Sequence, residues 1–232
     1  MCKITIGDYL LTRLHEMGVA HVFGVPGDYN LGFCDQIVNF NGVDWLGNCN
    51  ELNAAYAADG YARIKGISAV LTTYGVGELS AINGIAGSFA EFVPVVKIVG
   101  APATTTQNNN ALVHHNFSEG DFGVFSTMFK SVTVFQAIID NPNTAAALID
   151  EALITCWLKK RPVYISLPSD LTFHEITAPV KPLNLRYPAS KTDAIKEMVT
   201  HIVNLIKAAK KPVLLPTSVQ SDIFCVYPLN NY

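Results

Sequence analysis

SAVLTTYGVGELSAINGIAGSFAEFVPVVKIVGAP, residues 68–102, is the stretch that decides the fold. Its first part, 68–75, is β-branched and apolar and predicts a strand. Residues 77–92 are rich in Gly, Ala and Ser and predict a helix that packs closely against a neighbour. Residues 93–102 form a continuous apolar run, the pattern of a strand buried on both faces. Strand, helix, strand in this order is a right-handed crossover between parallel strands.

The alternation continues on both sides. Towards the start, Leu10, Leu11, Leu14 and Met17 recur at helical spacing, with Gly18 where a helix would end. Residues 19–27 read as a buried strand entering a Pro-Gly loop, and a short strand follows near Trp45–Cys49. Residues 51–66 are Ala-rich and close on basic residues and a glycine, as a helix does. Beyond the central unit, a polar stretch at 103–120 loops out. Strands at 131–135 and 162–168 then flank a helix at 143–158. The expected fold is α/β, a parallel sheet with helices on both faces.

After about residue 175 the composition changes. Residues 177–191 are proline-punctuated and read as a linker after a first domain at 1–176. Thr192 and Asp193 then open an amphipathic helix with Ile195, Met198, Val199, Ile202, Ile206 and Ala209 on one face. Lys207, Lys210 and Lys211 close it before Pro212, and an apolar strand follows. Residues 192–215 thus read as the start of a second α/β domain, and 216–232 as an atypical tail without usable periodicity.

Of 232 residues, 50% are apolar and 15% charged, which suits a packed core rather than a disordered chain. A net charge of −3 leaves no basic footprint for nucleic acid. The five cysteines are scattered and form no C-x-x-C pair, which reads as reduced thiols in a cytoplasmic protein. The amino-terminal residues carry no secretory pattern, and no run approaches the ~18 apolar residues of a membrane helix. Neither membrane nor nucleic acid is an expected partner.

Open parallel sheets bind ligands at the carboxyl ends of their strands, so the loops there carry the candidates. After the first strand lies Gly24-Val25-Pro26-Gly27-Asp28-Tyr29-Asn30; Asp28 is either a site acid or ordinary turn chemistry. After the second, Asn50 caps a helix and Glu51 favours its positive end. With Leu52, Ala54, Ala55 and Ala57 following, Glu51 also suits an apolar pocket that would raise its pKa. After the third come Thr72, Thr73, Tyr74, Gly75, Val76, Gly77 and Glu78, where glycine lets a ligand reach the backbone. This is no dinucleotide fingerprint, because Ser80 stands where G-x-G-x-x-G needs its last glycine. The loop at 103–120 carries His114 and His115, either solvated loop residues or proton carriers near neutral pH. Zinc is disfavoured, since the pair lacks i+3 or i+4 partners of the right type and no cysteine is nearby in sequence.

Taken in order, VFGVPGDYNL, GNCNELNAAYAADGYARIKG, LTTYGVGELSAINGIAGSFAE, VHH followed by GDF, and RPVYISLP resemble the pyruvate and indolepyruvate decarboxylase family of thiamine diphosphate enzymes. The resemblance covers roughly residues 3–215. It implies the pyrimidine-binding domain of a non-oxidative 2-oxo acid decarboxylase, which converts a 2-oxo acid to an aldehyde and carbon dioxide through a cofactor ylid and enamine. It implies that Glu51 hydrogen-bonds the aminopyrimidine. Asp28, His114 and His115 would manage protons, and Thr73, Gly75 and Val76 would line the cofactor with Glu51. In the family, Mg²⁺ and the diphosphate are held by a carboxy-terminal domain with a Gly-Asp-Gly…Asn motif. No Gly-Asp-Gly occurs in this sequence, and Gly120-Asp121-Phe122 does not replace it. The chain is therefore expected to supply no Mg²⁺ ligand and to be inactive alone. The family's subunits assemble as homodimers or tetramers, which implies an exposed apolar surface on a lone copy. The alternative is a non-catalytic subunit that associates with or regulates a full-length decarboxylase.

Overall fold

The structure, a computed structural model, describes residues 2–117, 119–179, 181–187, 189, 191–216 and 224–228. Its elements in chain order are β1 (Cys2–Thr5), α1 (Ile6–Glu16), β2 (His21–Gly24), α2 (Leu31–Asn39), β3 (Asp44–Gly47), α3 (Glu51–Lys65), β4 (Ser68–Thr73), α4 (Val76–Ala90) and β5 (Val95–Ala101). There follow α5 (Thr104–Asn108), α6 (Val124–Phe129), β6 (Gln136–Ile138), α7 (Pro142–Lys159), β7 (Val163–Pro168) and β8 (Glu175–Ala178). The last are α8 (Thr192–Ala208), β9 (Pro212–Pro216) and β10 (Phe224–Pro228).

The first unit, Met1–Leu185, is built on a six-stranded sheet in the order β3-β2-β4-β5-β7-β6, every pair parallel. Strand alternation sends side chains to two cores. Ala69, Leu71, Val96, Ile98, Val163, Ile165 and Leu167 meet α1, α2 and α7 on one face. Val70, Val95, Val99 and Tyr164 meet α3, α4 and α6 on the other. Both faces are covered, as a parallel sheet requires. On the second face α3 and α4 pack through small residues. A Cβ added at Gly84 would lie 2.6 Å from the Cβ of Ala55, so the helices are close enough to exclude even alanine there. On the first face Arg13, 5% exposed, ties α1 to α7 through Asp150 at 3.0 Å.

Three expectations change in detail. The strand expected at 131–135 lies instead at 136–138, because Thr133 turns its hydroxyl back to the Phe129 carbonyl at the end of α6. Only Val134 and Phe135 already bond to the backbone flanking or entering β7. The polar loop contains α5, steadied by Thr104, whose backbone N–H and hydroxyl both donate to Asp170. The stretch read as linker from 177 overlaps β8, which pairs antiparallel with β1. The second unit, Arg186–Tyr232, holds α8 and the antiparallel pair β9 and β10. On α8, Ile195, Met198, Val199 and Ile206 are exposed and Ile202 is half-buried. Positions 217–223 and 229–232 of the tail lie outside the described residues. No helix among the described residues is long and apolar enough to cross a membrane.

Candidate active site

The carboxyl ends of β2, β3, β4 and β5, with the loops and helix starts that follow them, carry every site residue singled out from the sequence. The β2–α2 loop is organised by Asn30, which is 1% exposed. Its Oδ1 accepts the Gly27 N–H at 2.8 Å, and its Nδ2 donates to the Val25 carbonyl at 3.1 Å. With its polar atoms met from inside, Asn30 leaves Asp28 on the outer side of the turn. The Asp28 side chain is 47% exposed and its Oδ2 lies 2.5 Å from Nε2 of His114. His115 is half-buried, and the ligating atoms of Asp28, His114 and His115 all lie within 4.8 Å of one another. Tyr29 stacks on His114 with ring centroids 5.2 Å apart and its hydroxyl 3.4 Å from His114 Nδ1. One imidazole thus has a different oxygen at each ring nitrogen. Tyr29 was not anticipated, although it adjoins the predicted acid.

Thr73, 6% exposed at the end of β4, lies beneath these loops. A Cβ on Gly27 would come within 2.7 Å of its side chain. A Cβ on Gly77 would meet Thr73 Cγ2 at 2.8 Å and Glu51 Oε1 at 3.1 Å, so Gly77 is where the threonine and the carboxylate converge. Glu51 starts α3 after Asn50, whose side chain accepts the Asn53 N–H at 2.8 Å. Gly75 has φ +71°, and a Cβ there would stand 2.1 Å from the His115 carbonyl oxygen. Only glycine allows both that backbone and that approach. Val76, 52% exposed, opens α4 at the rim.

Beneath the turn lies a polar set that sequence reasoning missed. Val70, Lys97 and Tyr164 are register partners across β4, β5 and β7, so Lys97 points at the α4 face in the row of core residues. Lys97 and Glu78 are both 0% exposed, and Thr72 likewise. Glu78 accepts the Gly75 N–H at 2.9 Å on one oxygen and the Tyr164 hydroxyl at 2.8 Å on the other. Lys97 donates to the Thr72 hydroxyl and, at 3.1 Å, to the Ile98 carbonyl. Burial pushes the Lys97 ammonium down to about 7, against the pull of Glu78 and then Glu51. Burial also pushes the Glu78 carboxyl up, opposed by Lys97 and the two donors. The available signal was a lysine inside a run buried on both faces, since such a charge must meet acceptors.

Some polar atoms are left over. Thr73 Oγ1, Tyr74 OH and His115 Nδ1 are buried without a hydrogen-bond partner among the described residues. Buried polar groups in folded proteins nearly always have partners, so these three atoms are free to meet a ligand or water. An amine-bearing heteroaromatic ring would offer both donors and acceptors to these atoms. Space for close approach exists where Gly75 and Gly77 lack side chains. Beside the turn, a cleft of about 300 Å³ at the carboxyl ends of β5, β6 and β7 is bordered by Tyr74, Tyr164 and Asp121. A larger hollow of about 640 Å³ near Thr5, Gln36 and Phe173 contains none of the site residues.

Residues 4–123 match the family model described as thiamine pyrophosphate enzyme, N-terminal TPP binding domain. The chain belongs to this family. The match spans β2 to β5 and the loops that carry Asp28, Glu51, Thr73, His114 and His115. A relative from Schizosaccharomyces pombe is 50% identical over 216 residues, 91% of this chain and 38% of its own. Pyruvate decarboxylase of Aspergillus fumigatus is 46% identical over 214 residues, 91% of this chain and 37% of that protein. Pyruvate decarboxylase isozyme 1 of Saccharomyces cerevisiae is 46% identical over 219 residues, 93% of this chain and 38% of that protein. The chain therefore spans little more than a third of the length of these relatives. The family's cofactor, thiamine diphosphate, fits the donor set here. Its pyrimidine ring nitrogens and amino group are the kind of partner that the Thr73 hydroxyl, orphaned among the described residues, would meet beside Glu51.

Proposed function

We propose that this chain is the pyrimidine-binding portion of a non-oxidative 2-oxo acid decarboxylase of the pyruvate type. The observation that carries the reading is the placing of Thr73 between Glu51 on one side and the Asp28 loop on the other, with a buried hydroxyl that has no partner among the described residues. Thiamine diphosphate, when bound, supplies the electron sink that lets a 2-oxo acid lose carbon dioxide. Glu51 holds a proton at a ring nitrogen of the pyrimidine. Its half-buried position beside Gly77 limits competing water. Asp28 and His114, already paired at 2.5 Å, pass a proton between substrate and solvent, and His115 serves the inner side of the same space. Gly75 and Val76 present backbone and a small apolar surface to the cofactor. Mg²⁺ and the diphosphate are held by residues this sequence does not provide, so the chain alone turns nothing over. The scattered free thiols Cys34, Cys49 and Cys156 support a cytoplasmic setting.

A second reading has its own support. Tyr56 and Ile64 on α3 are 52% and 84% exposed, an apolar surface suited to a second subunit. In this reading the chain pairs with a full-length decarboxylase and alters its activity. The test of the first reading is an aldehyde assay with thiamine diphosphate, Mg²⁺ and pyruvate, on the chain alone and on the chain fused to the remaining domains of a relative. Turnover only in the fusion is expected. Turnover by the chain alone would overturn the incompleteness, and an inactive, folded fusion would overturn the decarboxylase reading. Co-elution with an intact relative, with changed activity, would establish the second.

A further inference from the structure

The geometry points to a site for a zinc-class divalent cation at Asp28, His114 and His115. Two imidazoles and one carboxylate are the ligand set that binds Zn²⁺ or Co²⁺ with a fourth position left to water. Mg²⁺ and Ca²⁺ prefer oxygen ligands throughout and do not suit it. The third ligand was invisible in local spacing because it arrives from the β2–α2 loop, far earlier in the chain. The three ligating atoms already lie within 4.8 Å of one another, whereas tetrahedral ligands at about 2.0–2.1 Å from zinc stand roughly 3.3 Å apart. Closing that gap is a matter of side-chain rotation, since Asp28 and His114 are 47% and 60% exposed. The pair at 2.5 Å opens slightly to admit the cation between its two atoms.

Two further observations support ligation. Metal-bound histidines almost always have their other ring nitrogen oriented by an outer partner. His114 has this arrangement: Nε2 faces Asp28 while Nδ1 faces the Tyr29 hydroxyl at 3.4 Å, and the stacked tyrosine ring fixes the plane. His115 Nδ1 is buried and unpartnered among the described residues, so this imidazole holds a lone pair or an N–H not spent on the protein. Binding here does not depend on the function proposed above. Its consequence does: a bound cation would withdraw both imidazoles from proton transfer, making the site inhibitory.

The test uses this chain alone, titrated with Co²⁺ by visible absorption and then displaced with Zn²⁺. One saturable site with tetrahedral d–d bands and no thiolate charge-transfer band is expected. Asp28→Asn, His114→Gln and His115→Asn should each weaken it by about 10- to 100-fold, the range that losing even an outer partner costs. Asparagine is chosen at position 115 because His115 has φ +68°, which Asn tolerates. Tyr29→Phe should weaken it less, and His21→Gln not at all. Circular dichroism of each variant separates lost ligation from lost fold. No saturable binding, a thiolate band, or unchanged affinity in the three folded variants would overturn the site while leaving the decarboxylase reading untouched.

Discussion

Two clusters of ionisable residues meet the turn Thr73–Gly75 from opposite sides, and they are built on opposite principles. Below it, Glu78, Lys97, Tyr164 and Thr72 are sealed in the core, and both oxygens of Glu78 are committed to donors. Above it, Asp28 and His114 are open to water and held by one short contact and a stacked ring. A buried carboxylate satisfied on both oxygens cannot exchange partners without breaking the fold, so it acts as an anchor. Exposed groups of the same chemistry can rotate, trade protons and meet a ligand. Glu51 lies between these regimes, half-buried and close to Thr73 only through a glycine. The difference predicts that substitutions below the turn are read out in stability and those above it in chemistry.

The largest effect should come from Glu51→Gln in a completed enzyme. General acid–base steps contribute about 10²–10⁴-fold, and the loss should fall on kcat with the unfolding midpoint nearly unchanged. Steady-state kinetics beside a urea melt decide it; unimpaired turnover would remove Glu51 from the chemistry. Next comes Glu78→Ala, read in the chain alone by urea unfolding. It leaves the Gly75 N–H and the Tyr164 hydroxyl without their acceptor and removes the carboxylate whose charge attracts Lys97, and breaking a buried charge set by removing one member costs about 3–5 kcal/mol. The paired control, Asp28→Asn, should change stability by only about 0.5 kcal/mol, as exposed substitutions do. Equal costs for the two would erase the contrast between the clusters.

The parallel sheet was legible because its strands are long apolar runs and its helices end on recognisable glycines. Gly18 and Gly66 both adopt the left-handed backbone expected after a helix, with φ +85° and +91°. Helix α2 was not, because LGFCDQIVN is short, is weakened by Gly32 and offers only Phe33, Cys34 and Ile37 to the core. Strand β8 was hidden by the prolines around it, since its pairing with β1 joins the two ends of the first unit. Local spacing offered the site residues only loop by loop, and their grouping came from the family resemblance. Asp28 and His114 come together only because β2 and β5 lie on either side of β4, a fact of strand order rather than of spacing. The buried set escaped notice for the opposite reason: Lys97 sits in a run that otherwise reads as core.

Gly75→Ala should rank third. Its φ of +71° and the 2.1 Å approach of the His115 carbonyl mean that a methyl group strains the turn and pushes the histidine loop outward. Holding a non-glycine residue in such a conformation costs about 1–3 kcal/mol, measurable by urea unfolding. The same substitution should weaken Co²⁺ binding above the turn, although it touches none of the three ligands. A variant that loses stability yet keeps full cobalt affinity would show that the two clusters are not joined through Gly75.

The smallest effect tests the anchor by its charge. Burial pushes Lys97 down to about 7, while the unfolded chain keeps the ordinary lysine value near 10.5. Between these limits the unfolded state binds a proton that the folded state does not, so stability rises with pH across the window. The contribution is complete above about 10.5 and is lost as pH falls to about 7. Other thiols and phenols titrate in the same range, so the quantity to measure is the difference between the wild-type chain and Lys97→Met. Their unfolding free energies should diverge, the wild type gaining about 1–2 kcal/mol on the variant between pH 7.5 and 9.5, within the ceiling of about 1.4 kcal/mol per pH unit. Parallel curves would mean that Lys97 remains charged in the fold at both pH values. The buried set would then be an ion pair in full, drawing on the attraction between Lys97 and Glu78 rather than on the hydrogen bonds that Gly75 and Tyr164 give to the carboxylate.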